Sequence, residues 1–209
     1  MLRRNGCAQP QDRNAEPVRD LLRTMRNGFE LVSPSIEGLP QYAAALERGW
    51  SPDNLRDVSQ EQLAAIRKDP EAFLRDAVSL DVPVILPDGR KVPRLPFHPF
   101  WMWDGEFCGS TSLRFQHGTE ELPPHCTGHI GYAVVPWKRG RGYATKSLRM
   151  LLPIARVEGL ARVMVTCDDD NEASRRVIVS SGGKLAGRGP SPLVNGKTLL
   201  TFWIDTNEP

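Results

Sequence analysis

The hydrophobic positions of this chain switch between a period of two and a period of 3.6, and the switch is clearest at its centre. The mostly apolar run Ile130 to Val135 predicts a strand, and Pro136 ends it because proline donates nothing to a ladder. A loop of glycines and cations follows. Beyond it Ala144, Leu148, Leu151, Leu152 and Ala155 recur at helical spacing, with Pro153 expected to kink or shorten that helix. Arg162 to Cys167 predicts the next strand, and Asn171-x-x-Ser174 opens another helix.

Upstream, Phe29 to Val32 reads as a first strand ended by Pro34. Leu39, Tyr42, Ala43 and Leu46 then read as a helix closed by Gly49. A further helix starts at Ser59 and carries Leu63, Ile66, Phe73 and Leu74, with Pro70 expected to break or bend it. Pro83 to Pro99 reads as loop with short extended pieces around Asp88-Gly89. Phe100 to Trp103 and Glu106 to Phe115 flank Asp104-Gly105, a hairpin signal, and Gln116 to Thr127 is loop. Leu185 to Ala186 and Leu199 to Ile204 complete the strands, joined through Pro190, Pro192 and an Asn195-Gly196 turn.

This order of elements predicts one α/β domain over residues 28–209, preceded by a flexible extension over residues 1–27 with an amphipathic turn at Val18, Leu21, Leu22 and Met25. The content of 40% hydrophobic and 25% charged residues is that of a soluble globular chain. No apolar run approaches the ~20 residues of a membrane span, and no apolar segment follows Arg3 and Arg4 to make a secretory signal. The net charge is +2 and the excess of arginine lies in the extension, so the folded part has no general nucleic-acid footprint. The 4 cysteines have no C-x-x-C spacing and read as free thiols, which makes the cytoplasm the expected compartment.

Chemistry enters at Pro136 to Thr145. The free N–H groups of a strand-to-helix loop, beside the positive end of the helix dipole, make a seat for an anion such as a pyrophosphate. Gly140 and Gly142 allow close backbone approach while Arg139 and Arg141 supply charge. A nucleotide P-loop and a dinucleotide fingerprint both require a glycine where this chain has Thr145. The pattern that fits is V-x-P-x-x-R-x-x-G-x-A from Val134 to Ala144, followed by the strand and the Asn171-x-x-Ser174 helix start. It resembles the acyl-CoA site of GNAT-type N-acetyltransferases. Within them it is nearest a bacterial branch with GHIGY before the loop, here Gly128 to Tyr132, and VTCD-x-DN-x-AS after it, here Val165 to Ser174.

The resemblance implies a mixed central sheet that splays at its middle. Unpaired backbone groups at Val134 and Val135 would hydrogen-bond the pantetheine arm of acetyl-CoA, with an N–H near Val134 serving the thioester oxygen. Arg139, Gly140, Arg141, Gly142, Tyr143, Ala144 and Thr145 would cradle the pyrophosphate, and Asn171 and Ser174 would line the cofactor arm. The implied partners are acetyl-CoA and an amine acceptor of unspecified identity, with a homodimer left open and no metal required.

Two departures concern catalysis. Many relatives carry a glutamate on the central strand to take the amine's proton, but no carboxylate lies between Thr127 and Arg139. His129 is the nearest titratable group, either a general base or a structural histidine bonded to backbone. Many relatives also place a tyrosine seven residues after the asparagine, where this chain has Ile178; the acid is then water, Ser174 or nothing. His125-Cys126-x-x-His129 falls short of a closed metal site, and Asp168 to Asp170 reads as an acidic turn before a helix. The rival functions are a non-catalytic acyl-CoA-binding module, an acyltransferase acting on aminoacyl-tRNA, and a P-loop-like nucleotide hydrolase.

Overall fold

The computed structural model describes residues 28–207; the extension expected over residues 1–27 lies outside the described residues. The strands divide into two main sheets that meet at a cleft. The first holds β1 (Glu30–Val32), β4 (Phe97–Trp103), β5 (Phe107–Arg114) and β6 (Ile130–Val134), in the order β1-β4-β5-β6 and antiparallel throughout. The second is a three-stranded antiparallel sheet, in which β9 (Thr198–Asp205) lies between β7 (Arg162–Asp168) and β8 (Lys184–Pro190). A two-stranded hairpin, β2 (Val84–Ile85) and β3 (Lys91–Val92), turns at Asp88-Gly89 inside the proline-rich stretch.

Helices cover both faces. On one side lie α1 (Leu39–Glu47), α2 (Ser59–Lys68) and α3 (Pro70–Val78). Pro70 ends what would otherwise be one helix, and Asp69 caps the second by accepting from the Ala72 N–H at 2.8 Å. Leu39, Tyr42, Leu46 and Trp50 pack there on Trp101, Phe107, Ala133 and Val135. On the other side lie α4 (Tyr143–Val157) and α5 (Glu172–Ser180), whose Leu148, Leu151, Ile154 and Ile178 join Met102, Leu113, Val163, Val165 and Phe202 in the larger core. Among the described residues no helix is long and apolar enough to cross a membrane.

Two expectations change. Pro153 lies inside α4 without shortening it, since the helix runs 15 residues through it. β4 starts at Phe97 rather than Phe100 and so includes Pro99. The proline is tolerated because β1 pairs only as far as Trp101, which leaves Pro99 beyond the end of that ladder.

Candidate functional site

β5 and β6 pair over Gly109–Leu113 and Ile130–Val134, and β7 pairs with β9, but β6 and β7 belong to different sheets. Just outside the β5–β6 ladder, the Arg114 N–H donates to the His129 C=O at 2.8 Å and the Val135 N–H donates to the Cys108 C=O at 3.0 Å. Antiparallel alternation therefore turns the backbone groups of Tyr132 and Val134 away from β5, toward the cleft. The two carbonyls there meet side chains: Asn54 Nδ2 donates to Tyr132 at 3.2 Å and Arg139 Nε donates to Val134 at 3.3 Å. The N–H groups of Tyr132 and Val134 face the same opening. Gly109 makes the close approach of β5 possible, since a Cβ there would lie 2.2 Å from the Ala133 carbonyl oxygen.

The cleft ends at a 3-10 turn, Pro136–Lys138, and a loop in which Gly140 and Gly142 hold φ of 76° and 77° with open space around them. The amides of Gly140, Arg141 and Gly142 make no backbone hydrogen bond among the described residues. The next three, Tyr143, Ala144 and Thr145, are the first N–H groups of α4 and have no intrahelical acceptor. Gly142, the N-cap, offers no side chain to them, and the first turn holds no acidic residue. Six donors at one helix end are thus without protein acceptors on the backbone, beside the exposed side chains of Arg139 and Arg141.

Two loop residues serve it differently from the rest. Lys138 is 6% exposed, and its Nζ lies 2.5 Å from Asp104 Oδ1 and 3.0 Å from Glu106 Oε2. The Tyr143 hydroxyl donates to Asp104 Oδ2. Burial opposes both charges, yet hydrogen bonds from Lys138 and Tyr143 hold the Asp104 carboxyl well below the usual range, and those to Asp104 and Glu106 hold the Lys138 ammonium above its own. The β4–β5 turn thereby braces the glycine loop, and the Tyr143 hydroxyl is committed to that brace.

On the far wall, Asn171 caps α5, its Oδ1 accepting from the Ser174 N–H at 3.0 Å. Ser174 Oγ lies 2.7 Å from the Tyr132 hydroxyl, so a hydrogen bond runs from β6 to α5. Burial pushes the Tyr132 phenol up to about 12, so it carries its proton at neutral pH. Sequence reasoning missed Tyr132; its place in the strand, on the face shared by Ile130 and Val134, was the available signal. Ile178 is fully buried in the core and offers no hydroxyl.

His129 lies at the apex of the cleft and is 0% exposed. Its N–H donates to the Met164 C=O at 2.8 Å, and its ring Nδ1 accepts the Met164 N–H at 2.9 Å. Of the two roles left open by the sequence, this geometry is that of the histidine bonded to backbone; a general base must meet its substrate, and His129 presents no exposed nitrogen. Burial first, and the Arg114 charge second, push its pKa down to about 4. Beside this apex lies a depression of about 200 Å³ lined by Cys126, Thr127, Met164, Pro190, Pro192 and Thr201 among others. Among the described residues no three His, Cys, Asp or Glu side chains are grouped to hold a metal.

Residues 89–184 match the family described as Acetyltransferase (GNAT) domain. No curated protein matches the chain. Solved structures resemble it at the level of the fold. Mycobacterium smegmatis RimJ, in complex with CoA-disulfide, is 21% identical with a TM-score of 0.61 over 85% of this chain and 81% of that one. An acetyl transferase from Salmonella typhimurium that modifies the N-terminal serine of ribosomal protein L7/L12 is 15% identical, with a TM-score of 0.57 over 86% and 96%. The putative acetyltransferase yncA of Salmonella typhimurium, with its cofactor acetyl-CoA, is 17% identical, with a TM-score of 0.51 over 88% and 96%.

Proposed function

We propose, from the match of residues 89–184 to the GNAT acetyltransferase domain family, that this chain transfers an acetyl group from acetyl-CoA to a primary amine borne by a small molecule, a peptide or a protein. The observation that carries the reading is one open strand edge leading into one uncapped helix end. Pantetheine-like amides need strand-edge partners, and a diphosphate needs converging N–H donors; this cleft supplies the two in that order. Positive φ at Gly140 and Gly142, with nothing packed against either, supports the fit to an anion.

In this reading the amides of residues 140–145, with Arg139 and Arg141, hold the diphosphate. The edge of β6 at Tyr132 and Val134 orients the acyl arm, and the Val134 N–H donates to the carbonyl oxygen as negative charge grows on it. Val135, expected to be unpaired, stands outside that edge, its N–H bonded to the Cys108 C=O and its C=O to the Lys138 N–H. Asn171, its Oδ1 committed to the cap, contacts the arm through its amide nitrogen. Acetyl-CoA supplies a thioester carbonyl open to direct attack by an uncharged amine. Ser174, hydrogen-bonded to Tyr132, holds a proton where the thiolate departs. The amine, with an ordinary pKa of about 10, must shed its own proton. Water entering from the acceptor side takes it, because His129 is sealed.

The acceptor enters beside Met164 and Thr201, where the depression lies against the apex. That the Salmonella neighbour modifies a protein N-terminus makes α-amino groups of peptides the first acceptors to try. The free thiols of Cys108, Cys126 and Cys167 support a cytoplasmic setting. Calorimetric titration with acetyl-CoA, followed by free-thiol release over a panel of peptide α-amines, lysine amines and polyamines, tests the proposal. Acetyl-CoA bound without thiol release from any amine would leave only a binding module, and no binding would remove the reading altogether.

A further inference from the structure

His129 makes contacts that a passive core histidine does not. Where β6 leaves β7, the only mutual hydrogen bonds among the described residues are the pair between His129 and Met164, and one of them runs to a side chain. In a parallel ladder whose Met164 C=O accepts from the His129 N–H, the Met164 N–H would meet the carbonyl two residues earlier, that of Thr127. The His129 carbonyl has turned to the Arg114 N–H of β5, and the Thr127 carbonyl accepts no backbone hydrogen bond among the described residues. The imidazole stands in for it. Behind the ring, Trp203 lies with its centroid 6.1 Å away, Arg162 stacks over that indole at 4.3 Å, and Glu120 holds Arg162 at 2.7 Å. Arg114 and Glu120 are the charged groups that act on the ring.

We propose that His129 is a positioning residue that sets the mouth of the acyl-CoA cleft, its Nδ1 replacing a backbone carbonyl at the last bond between β6 and β7, so that the strands part at residue 130. Pinned there, the edge from Ile130 to Val134 diverges with its Tyr132 and Val134 amides exposed to a ligand. With a continued ladder the same amides would be paired; without the pin, β6 and β7 would share only the single bond from the His129 N–H. The ring must be neutral and carry its proton on Nε2, the buried nitrogen that has no partner.

This inference rests on reading the cleft as the acyl-CoA site, but its first test needs no ligand. Nitrogen NMR of the side chain should show the Nε2–H tautomer at neutral pH, and amide exchange should show a protected Met164 N–H. A ring protonated on Nδ1 would overturn the proposal. Asparagine places an acceptor oxygen on Cγ, where Nδ1 sits, so His129→Asn should keep the Met164 amide protected and hold acetyl-CoA affinity within about threefold. His129→Leu removes the acceptor and should speed Met164 exchange at least a hundredfold and weaken acetyl-CoA at least tenfold. If the leucine variant does not fold, the asparagine variant and the tautomer still decide. A loss of kcat of a hundredfold or more in His129→Asn, with an ionisation gone from the pH profile at unchanged affinity, would mark a base and refute the pin. Failure of the wild type to bind acetyl-CoA would sink the function while leaving the tautomer and exchange results standing.

Discussion

Gly142 and Gly159 sit at opposite ends of α4, and together they separate the anion seat from ordinary backbone strain. Both hold positive φ, 77° and 87°, and a Cβ at either would meet nothing within 4 Å. A side chain at either position therefore costs about 1–2 kcal/mol from the left-handed backbone alone. An aspartate adds opposite terms at the two ends. Near the N-terminus its charge favours the helix by about 0.3–1 kcal/mol, and near the C-terminus it opposes it by as much. Gly142→Asp should thus lose roughly 0–1.7 kcal/mol and Gly159→Asp roughly 1.3–3 kcal/mol. At about 2–4 °C per kcal/mol, Gly159→Asp should melt several degrees below Gly142→Asp.

Affinity should run the other way. Two diphosphate charges about 6 Å from the new carboxylate, even at a dielectric constant of about 80, are repelled by about 1.4 kcal/mol, a tenfold loss. That is a lower bound, because the carboxylate also competes for the six loop and helix amides. Calorimetry should therefore give at least tenfold weaker acetyl-CoA binding for Gly142→Asp and no more than a twofold change for Gly159→Asp. Gly142→Ala, strained but uncharged, should fall between wild type and the aspartate. Equal losses at both ends, or near wild-type affinity in a folded Gly142→Asp, would refute the assignment of the diphosphate to this helix end.

Three further outcomes follow from the same contacts. Asp104→Asn leaves the buried Lys138 with only the exposed Glu106 and should cost about 3 kcal/mol in a denaturant melt. Because Asp104 titrates lower in the folded state than the ~3.9 of the unfolded chain, its contribution is whole at neutral pH and fades only as pH falls below about 4, a loss the variant should lack. His129, pushed down to about 4 from 6.5, makes the unfolded chain bind the extra proton between those values. Stability should therefore fall from pH 7 to 4 by about 3 kcal/mol more in the wild type than in His129→Asn, measured by urea unfolding. Tyr132→Phe, which strips the hydroxyl from Ser174, should lower kcat about tenfold with KM for acetyl-CoA within about twofold. An unchanged kcat would remove the pair from the proton path.

The elements around the loop were legible because their signals are local. Pro136 ends β6, helical spacing from Ala144 marks α4, and Asn171 caps α5 as its type and position suggest. The hairpin at Asp104-Gly105 was read from its turn, whereas the role of Asp104 was not, because its partner Lys138 lies 34 residues away. The start of β4 was misjudged at Pro99, where tolerance depends on the length of a neighbouring strand and not on the segment itself. Long-range pairing is the information that a single sequence shows least.

The same limit explains why the catalytic groups were harder to read than the anion seat. Phosphate-binding donors belong to consecutive residues, so one stretch contains the whole device. The proposed proton path joins residues from different elements: the Tyr132 and Ser174 hydroxyls, 2.7 Å apart, come from positions separated by 42 residues. His129 carried the residue type of a base, and its pKa in a free chain suits one. What removed it from that role is a backbone N–H on β7, a group that every residue except proline possesses and no motif can reveal. A titratable residue at a strand end is thus a proton carrier only if the neighbouring strand leaves its nitrogens free, and here the parting of β6 and β7 uses one of them.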